Sequence, residues 1–185
     1  MLLTGDHNRV RGLFALFHTA HESQDQSAAE QVAETIFREL EVHTEIEETI
    51  FYPAVQELGG QVHELVVEGF EEHGVVKDLM AEARSLAPTD ERWPAKVKVI
   101  IENVEHHAQE EETQMFPLVQ RGMDATTLES LARRLEAKKR ELGAPTTDAT
   151  IDLTKTELSA MAKEQQIPGR SKMSHDELAA SVAPR

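Results

Sequence analysis

The chain has 185 residues, a formal net charge of −15 at pH 7, 39% apolar and only 4% aromatic residues, and no cysteine. Its length suits one ordinary domain, or one domain with a small appendage. The charge argues against the whole chain gripping DNA or an anionic membrane, and the lack of cysteine excludes disulfides, thiolate zinc sites, iron–sulfur clusters and a cysteine nucleophile.

Breakers divide the sequence into helical patterns. The first runs from about Leu3 to His21 and ends in "ESQDQS". The second spans roughly Ala28 to Phe51 and is expected to stop before Pro53. "ELGG" leads to a third, about Gln61 to Leu86, and "APTDERWP" to a fourth, about Pro94 to Phe116, closed by Pro117. A fifth, near Thr126 to Leu142, ends at Gly143, after which "APTTDAT" reads as a linker. Short connections between long helices imply antiparallel neighbours, so the expected fold is all-α: an up-down-up-down four-helix bundle with a fifth helix and a small C-terminal helical appendage. The expected domains are 1–143 for the bundle, 144–149 for the linker and 150–185 for the appendage. The start lacks the regions of a secretory signal and no apolar run could cross a bilayer, so a cytoplasmic protein with no membrane partner is expected.

Apolar residues spaced three and four apart show which face of each helix looks inward. The stripes are Leu3, His7, Val10, Phe14 and Phe17 in the first helix, and Val32, Ile36, Leu40, His43, Glu47 and Ile50 or Phe51 in the second. In the third they are Val62, Val66, Phe70, His73, Val76 and Met80; in the fourth Trp93, Val97, Ile100, Val104, His107, Glu111 and Met115. Every bundle helix thus places a histidine in its apolar stripe. Two helices add a glutamate one turn on, inside an internal repeat, "HTEIEETIFYP" (43–53) and "HAQEEETQMFP" (107–117).

Buried carboxylates among imidazoles need a partner. In an antiparallel hairpin, residues equidistant from the turn lie at one height. The midpoints of the successive pairs His7/His43, His43/His73 and His73/His107 fall at 25, 58 and 90, each at or beside a predicted turn. The four histidines therefore share a level, joined by Glu47 and Glu111, which makes His7, His43, Glu47, His73, His107 and Glu111 the candidate ligands of a metal pair. His18, His21, His63 and His175 lack this support, and His106 lies about 100° off the face of His107. Glu45, Glu48, Glu110 and Glu112 read as solvated helix surface, and Phe51 and Phe116 as core residues placed to shield a site.

In "DHNRVRGLF", "HTEIEETIFYP", "EEHGVVKDLM" and "HAQEEETQMFP", from about Leu2 to Gly143, the sequence resembles the hemerythrin-like, or HHE cation-binding, family. Oxygen-carrying members hold a di-iron centre with five histidines and two bridging carboxylates, the third helix giving two histidines four apart. Here Lys77 stands four residues after His73, and Glu111 four after His107 where carriers have an aspartate five after. The resemblance therefore implies the four-histidine, two-glutamate variety, some of whose members are associated with peroxide decomposition or iron handling.

Imidazole and carboxylate without sulfur suit iron, manganese or zinc, and a shared pair of glutamates favours two irons with an oxo or hydroxo bridge. Each iron would have about five donors, leaving a position for H2O2, O2 or NO. The leading expectation is an enzyme decomposing hydrogen peroxide in oxidative-stress defence; the alternatives are reversible binding or sensing of O2 or NO, and an iron-handling or structural metal protein.

The tail, "IDLTKTELSAMAKEQQIPGRSKMSHDELAASVAPR", holds two capping-box signatures, Thr154 with Glu157 and Ser174 with Glu177. It resembles the helix–loop–helix of the terminator Rho's N-terminal domain and SAP-like modules, which implies weak nucleic-acid contacts through Lys163, Arg170 and Lys172. With five basic and five acidic residues in 150–185, the module is neutral and the net charge belongs to the bundle.

Overall fold

The computed structural model describes residues 2–144, a helix at 155–164 and, beyond it, Ile167, Arg170, Met173 and Leu178. Among the described residues every regular element is helical: α1 (Leu2–Glu22), α2 (Gln26–Ile46), α3 (Tyr52–Val55), α4 (Gly60–Ser85), α5 (Arg92–Glu110), α6 (Phe116–Gly122), α7 (Ala125–Glu141) and α8 (Lys155–Glu164). The all-α bundle class follows, and none of these helices is long and apolar enough to cross a membrane. Residues 145–149 of the expected linker 144–149, both capping boxes, Lys172 and His175 lie outside the described residues.

Local chemistry sets most boundaries where breakers predict them. The Asp25 carboxylate accepts from Ala28 N–H at 3.1 Å and that of Asp124 from Thr127 N–H at 3.0 Å, satisfying donors that open α2 and α7. Gly59 and Gly60 take φ of 67° and 54°, a left-handed bend that a side chain would resist, and so turn the chain into α4.

The two prolines behave differently from expectation. Neither Pro53 nor Pro117 ends its helix; each sits in the first turn of a new helical run, α3 or α6. The run before each is widened into one π-helical turn, Glu47–Phe51 and Glu111–Met115. There Tyr52 N–H donates to Glu47 C=O, and Phe116 N–H to Glu111 C=O, five residues back. A proline has no N–H to lose in a first turn, so the chain continues once the preceding turn has taken up an extra residue. Thr49 and Thr113 mark both copies, their hydroxyls donating back to Glu45 C=O at 2.6 Å and Gln109 C=O at 2.7 Å, a contact that bends helices.

The chain divides into two units, Met1–Leu40 with Ala144–Arg185, and Glu41–Gly143. In the first, α1 buries Leu3, His7, Val10, Phe14 and Phe17, the predicted stripe, and α8 packs against α1. Leu158 and Ala162 of α8 form a buried cluster with Leu178, flanked by Ile167 and Met173. Lys163 is exposed, while Arg170 is half-buried with Nη1 donating to Ile167 C=O at 3.5 Å.

In the second unit α4 and α5 form a hairpin through 86–91. Val62, Val66, Val76 and Met80 of α4 are buried with Trp93, Val97 and Ile100 of α5, as the spacing predicts. Phe70 is the exception at 41% exposed: the inward position is taken by Gly69, because the Tyr52 ring occupies the space beside it. Val104 here, and Val32 in the first unit, are only half-buried on their stripes.

Candidate metal centre

The second unit gathers five of the six candidate ligands: His43 from α2, Glu47 and Glu111 from the first residue of each π turn, His73 from α4 and His107 from α5. All five are buried, Glu47 completely at 0% exposed. His7, the sixth, is buried on the inner stripe of α1 in the first unit.

Glu47 sits at the middle. Its Oε2 is 3.1 Å from His43 Nε2, one turn back on the same helix face, and 3.4 Å from His73 Nε2. His73 Nε2 and His107 Nε2 stand 3.1 Å apart, and Glu111 Oε1 is 3.9 Å from His107 Nε2. Glu47, His73 and His107 each offer a ligand atom within 4.8 Å of one another, as do His43, Glu47 and Glu111, so Glu47 is common to two groups. Two nitrogens at right angles on one ion, with bonds of about 2.1 Å, would be about 3.0 Å apart. The His73–His107 and His43–Glu47 separations of 3.1 Å match such an edge, and imidazole with carboxylate is a donor set for iron, manganese or zinc. The residues fit a bound metal cation.

Electrostatics point the same way. Burial, with His107 and His43 alongside, pushes His73 down to about 2, so its ring is neutral at physiological pH and carries a lone pair. The two imidazole nitrogens facing each other at 3.1 Å can share a hydrogen bond, or turn both lone pairs to a cation set between them.

Three residues around the cluster escape the sequence reading. Tyr52 is 0% exposed; its hydroxyl donates to Glu111 Oε1 at 3.1 Å and lies 3.4 Å from Nε2 of both His73 and His107. Burial, then the charges of Glu47 and Glu111, hold the phenol well above its ordinary value, so it keeps its proton. An α-helical count puts residue 52 off the face of Glu47, whereas the π turn brings the fifth residue back under the first. The signal available was Pro53, read as a stop, and Tyr52 occupies the place that Phe116 holds in the second copy.

Glu48, expected as solvated surface, accepts from His73 Nδ1 at 3.0 Å and from Lys77 Nζ at 2.6 Å. Glu72 accepts from His107 Nδ1 at 2.6 Å. Each meets a histidine of another helix, a partner that spacing along a single helix cannot reveal. Phe51 and Phe116 are buried, with ring centroids 5.8 Å apart, and close the apolar side beside Tyr52.

His63 and His106 are exposed, the latter beside Glu72 and Glu110 on the helix surface. His18 is half-buried, and His21 stacks on Phe17 with centroids 6.1 Å apart.

Comparison with known proteins agrees with this geometry. Among curated proteins, a DNA nickase from Nostoc sp. (strain PCC 7120 / SAG 25.82 / UTEX 2576) is 25% identical over 150 residues. That stretch is 79% of this chain and 41% of the nickase, so the chain spans less than half the length of this relative. No solved structure matches the chain. The hemerythrin HHE cation binding domain matches residues 2–119. With that match over most of its length, and the His/Glu cluster in its helices, the chain belongs to the hemerythrin HHE cation-binding family.

Proposed function

We propose that this protein holds two iron ions on His7, His43, Glu47, His73, His107 and Glu111, the glutamates bridging, and decomposes hydrogen peroxide. The observation that carries the metal reading is the approach of His73 Nε2 to His107 Nε2 at 3.1 Å with Glu47 Oε2 3.4 Å from the former. His7 is included because it is buried in an apolar stripe, as the other three histidines are.

An iron pair bound there supplies two-electron redox chemistry, which balances as two peroxide molecules giving two waters and one O2. One peroxide is reduced and takes up two protons; the other is oxidised and releases two. Tyr52 and Glu111 stand where a proton can be handed over, the phenol holding its proton at Oη, 3.1 Å from Glu111 Oε1. Phe51, Phe116 and the fully buried Tyr52 ring exclude bulk water on that side, which strengthens electrostatic interactions within. Lys77, at the position of a fifth histidine in oxygen carriers, is half exposed and turned to Glu48, so it adds no ligand.

The relative's name supports a second reading, metal-assisted cleavage of a DNA phosphodiester, in which a cation pair would activate water rather than exchange electrons. The acidic charge of −15 weighs against it, since duplex DNA would be repelled. Protein purified without added metal is to be assayed for iron, near-ultraviolet absorption, oxygen release from peroxide, and nicking of supercoiled plasmid. Two irons per chain with many turnovers of peroxide is the expected result. A stable, reversible oxygen complex without turnover would replace it with a carrier or sensor; metal-dependent nicking without peroxide turnover would replace it with the hydrolytic reading.

A further inference from the structure

Two carboxylates back the cluster from outside, and one of them is itself held by a lysine. Glu48 Oε1 lies 3.0 Å from His73 Nδ1, and Glu72 Oε2 lies 2.6 Å from His107 Nδ1. An ionised carboxylate has no proton to give, so each ring nitrogen is the donor. A neutral imidazole protonated at Nδ1 has its lone pair at Nε2, and Nε2 is the atom each ring turns to the other. Lys77 Nζ donates at 2.6 Å to the same Glu48 oxygen that His73 uses. Lys77 lies one turn after His73 on α4, so helix spacing places ring and ammonium on one side of Glu48.

We propose that Glu48 and Glu72 are positioning residues that hold His73 and His107 as Nδ1–H tautomers with Nε2 free for a cation, and that Lys77 adjusts the donor strength of His73 through Glu48. This rests on the reading of both histidines as metal ligands. A carboxylate behind an imidazole raises the basicity of the far nitrogen. A lysine on that same oxygen draws its charge away and weakens the effect. Removing Glu48's charge and removing Lys77 therefore act in opposite directions on one metal position, a pattern that a merely structural role for either residue does not produce.

The test uses the full chain in two arms. In the metal-free protein at mildly alkaline pH, nitrogen-15 NMR of labelled histidine reads each tautomer directly. His73 and His107 should both be Nδ1–H; Glu48→Ala should release that preference in His73 alone, and Glu72→Ala in His107 alone. Nε2–H rings in the unaltered protein, or variants without effect on their own histidine, overturn the proposal whatever the metal does. In the iron-loaded protein, Glu48→Ala should weaken iron binding about tenfold to a hundredfold. The iron midpoint potential should rise in Glu48→Gln, which keeps an acceptor but no charge, and fall in Lys77→Met. Shifts in the same direction, or none, overturn the role of Lys77. Nδ1–H rings in a chain that takes up no iron would instead sink the ligand reading and leave the tautomer assignment standing.

Discussion

Gly69 makes room for Tyr52: a β-carbon at residue 69 would lie 2.7 Å from the Tyr52 hydroxyl oxygen and 3.1 Å from the ring carbon that bears it. Within a helix such as α4, glycine is about 1 kcal/mol less favourable than alanine, and Gly→Ala would ordinarily stabilise. Here the obstructing atoms belong to a rigid ring with no exposed surface, packed against Phe51, Phe70 and His73. Gly69→Ala should therefore destabilise by about 1–3 kcal/mol. Placed on Tyr52→Phe, the same change should cost markedly less, because the closest atom is gone. Denaturant unfolding of the two single variants and the double closes the cycle, and additive effects would show that the contact is not the cause.

Tyr52→Phe alone should leave metal content intact and lower peroxide turnover. The hydroxyl's bond to the buried Glu111 carboxylate is a hydrogen bond to a charged group, worth about 1.5–3 kcal/mol, so the metal-free protein should also lose stability on that scale. Metal analysis, an oxygen electrode and thermal unfolding measure the three quantities. Unchanged turnover at full iron loading would remove the tyrosine from the chemistry.

Glu47→Ala and Glu111→Ala should each reduce bound metal, Glu47 the more strongly, since its Oε2 lies beside both His43 and His73. His18→Ala and the exposed His63→Ala should leave metal content unchanged. His7→Ala should behave like the ligand variants if α1 supplies the sixth donor. Metal-to-protein ratios after identical purification decide each case, and full retention without both glutamates would refute bridging.

Ending the chain at Gly143 removes α8 and with it the helix packed against α1. Leu158 and Ala162 are both 0% exposed, and burying a leucine side chain contributes about 1.5–3 kcal/mol. The shortened chain should unfold at lower temperature than the full one. Equal midpoints in calorimetry would mean that the tail contributes nothing to the stability of its unit. Titration of both chains with short DNA and RNA at low and moderate salt tests the tail's proposed contacts through Lys163, Arg170 and Lys172, which should be weak and lost as salt rises.

The sequence by itself determined the helices, their inward faces and the buried His43, Glu47, His73, His107 and Glu111. Period 3.6 is written into the spacing of apolar residues, and a histidine or carboxylate inside such a stripe announces burial before any fold is known. Within the second unit the midpoint argument pairs His73 with His107, because antiparallel helices share a rise per residue, and their Nε2 atoms stand 3.1 Å apart. What only the tertiary structure decided lies where that count breaks or where a partner sits on another helix. The π turns change the phase of the chain behind Glu47 and Glu111, so Tyr52 points inward although the α-helical count puts it elsewhere, and Pro53 and Pro117 continue helices they were expected to end. Glu48 and Glu72 look like solvated surface along their own helices; only the packing of neighbouring helices sets their oxygens against His73 Nδ1 and His107 Nδ1. Periodicity reports which way a residue faces, and contact between helices depends on depth and register that no single helix encodes.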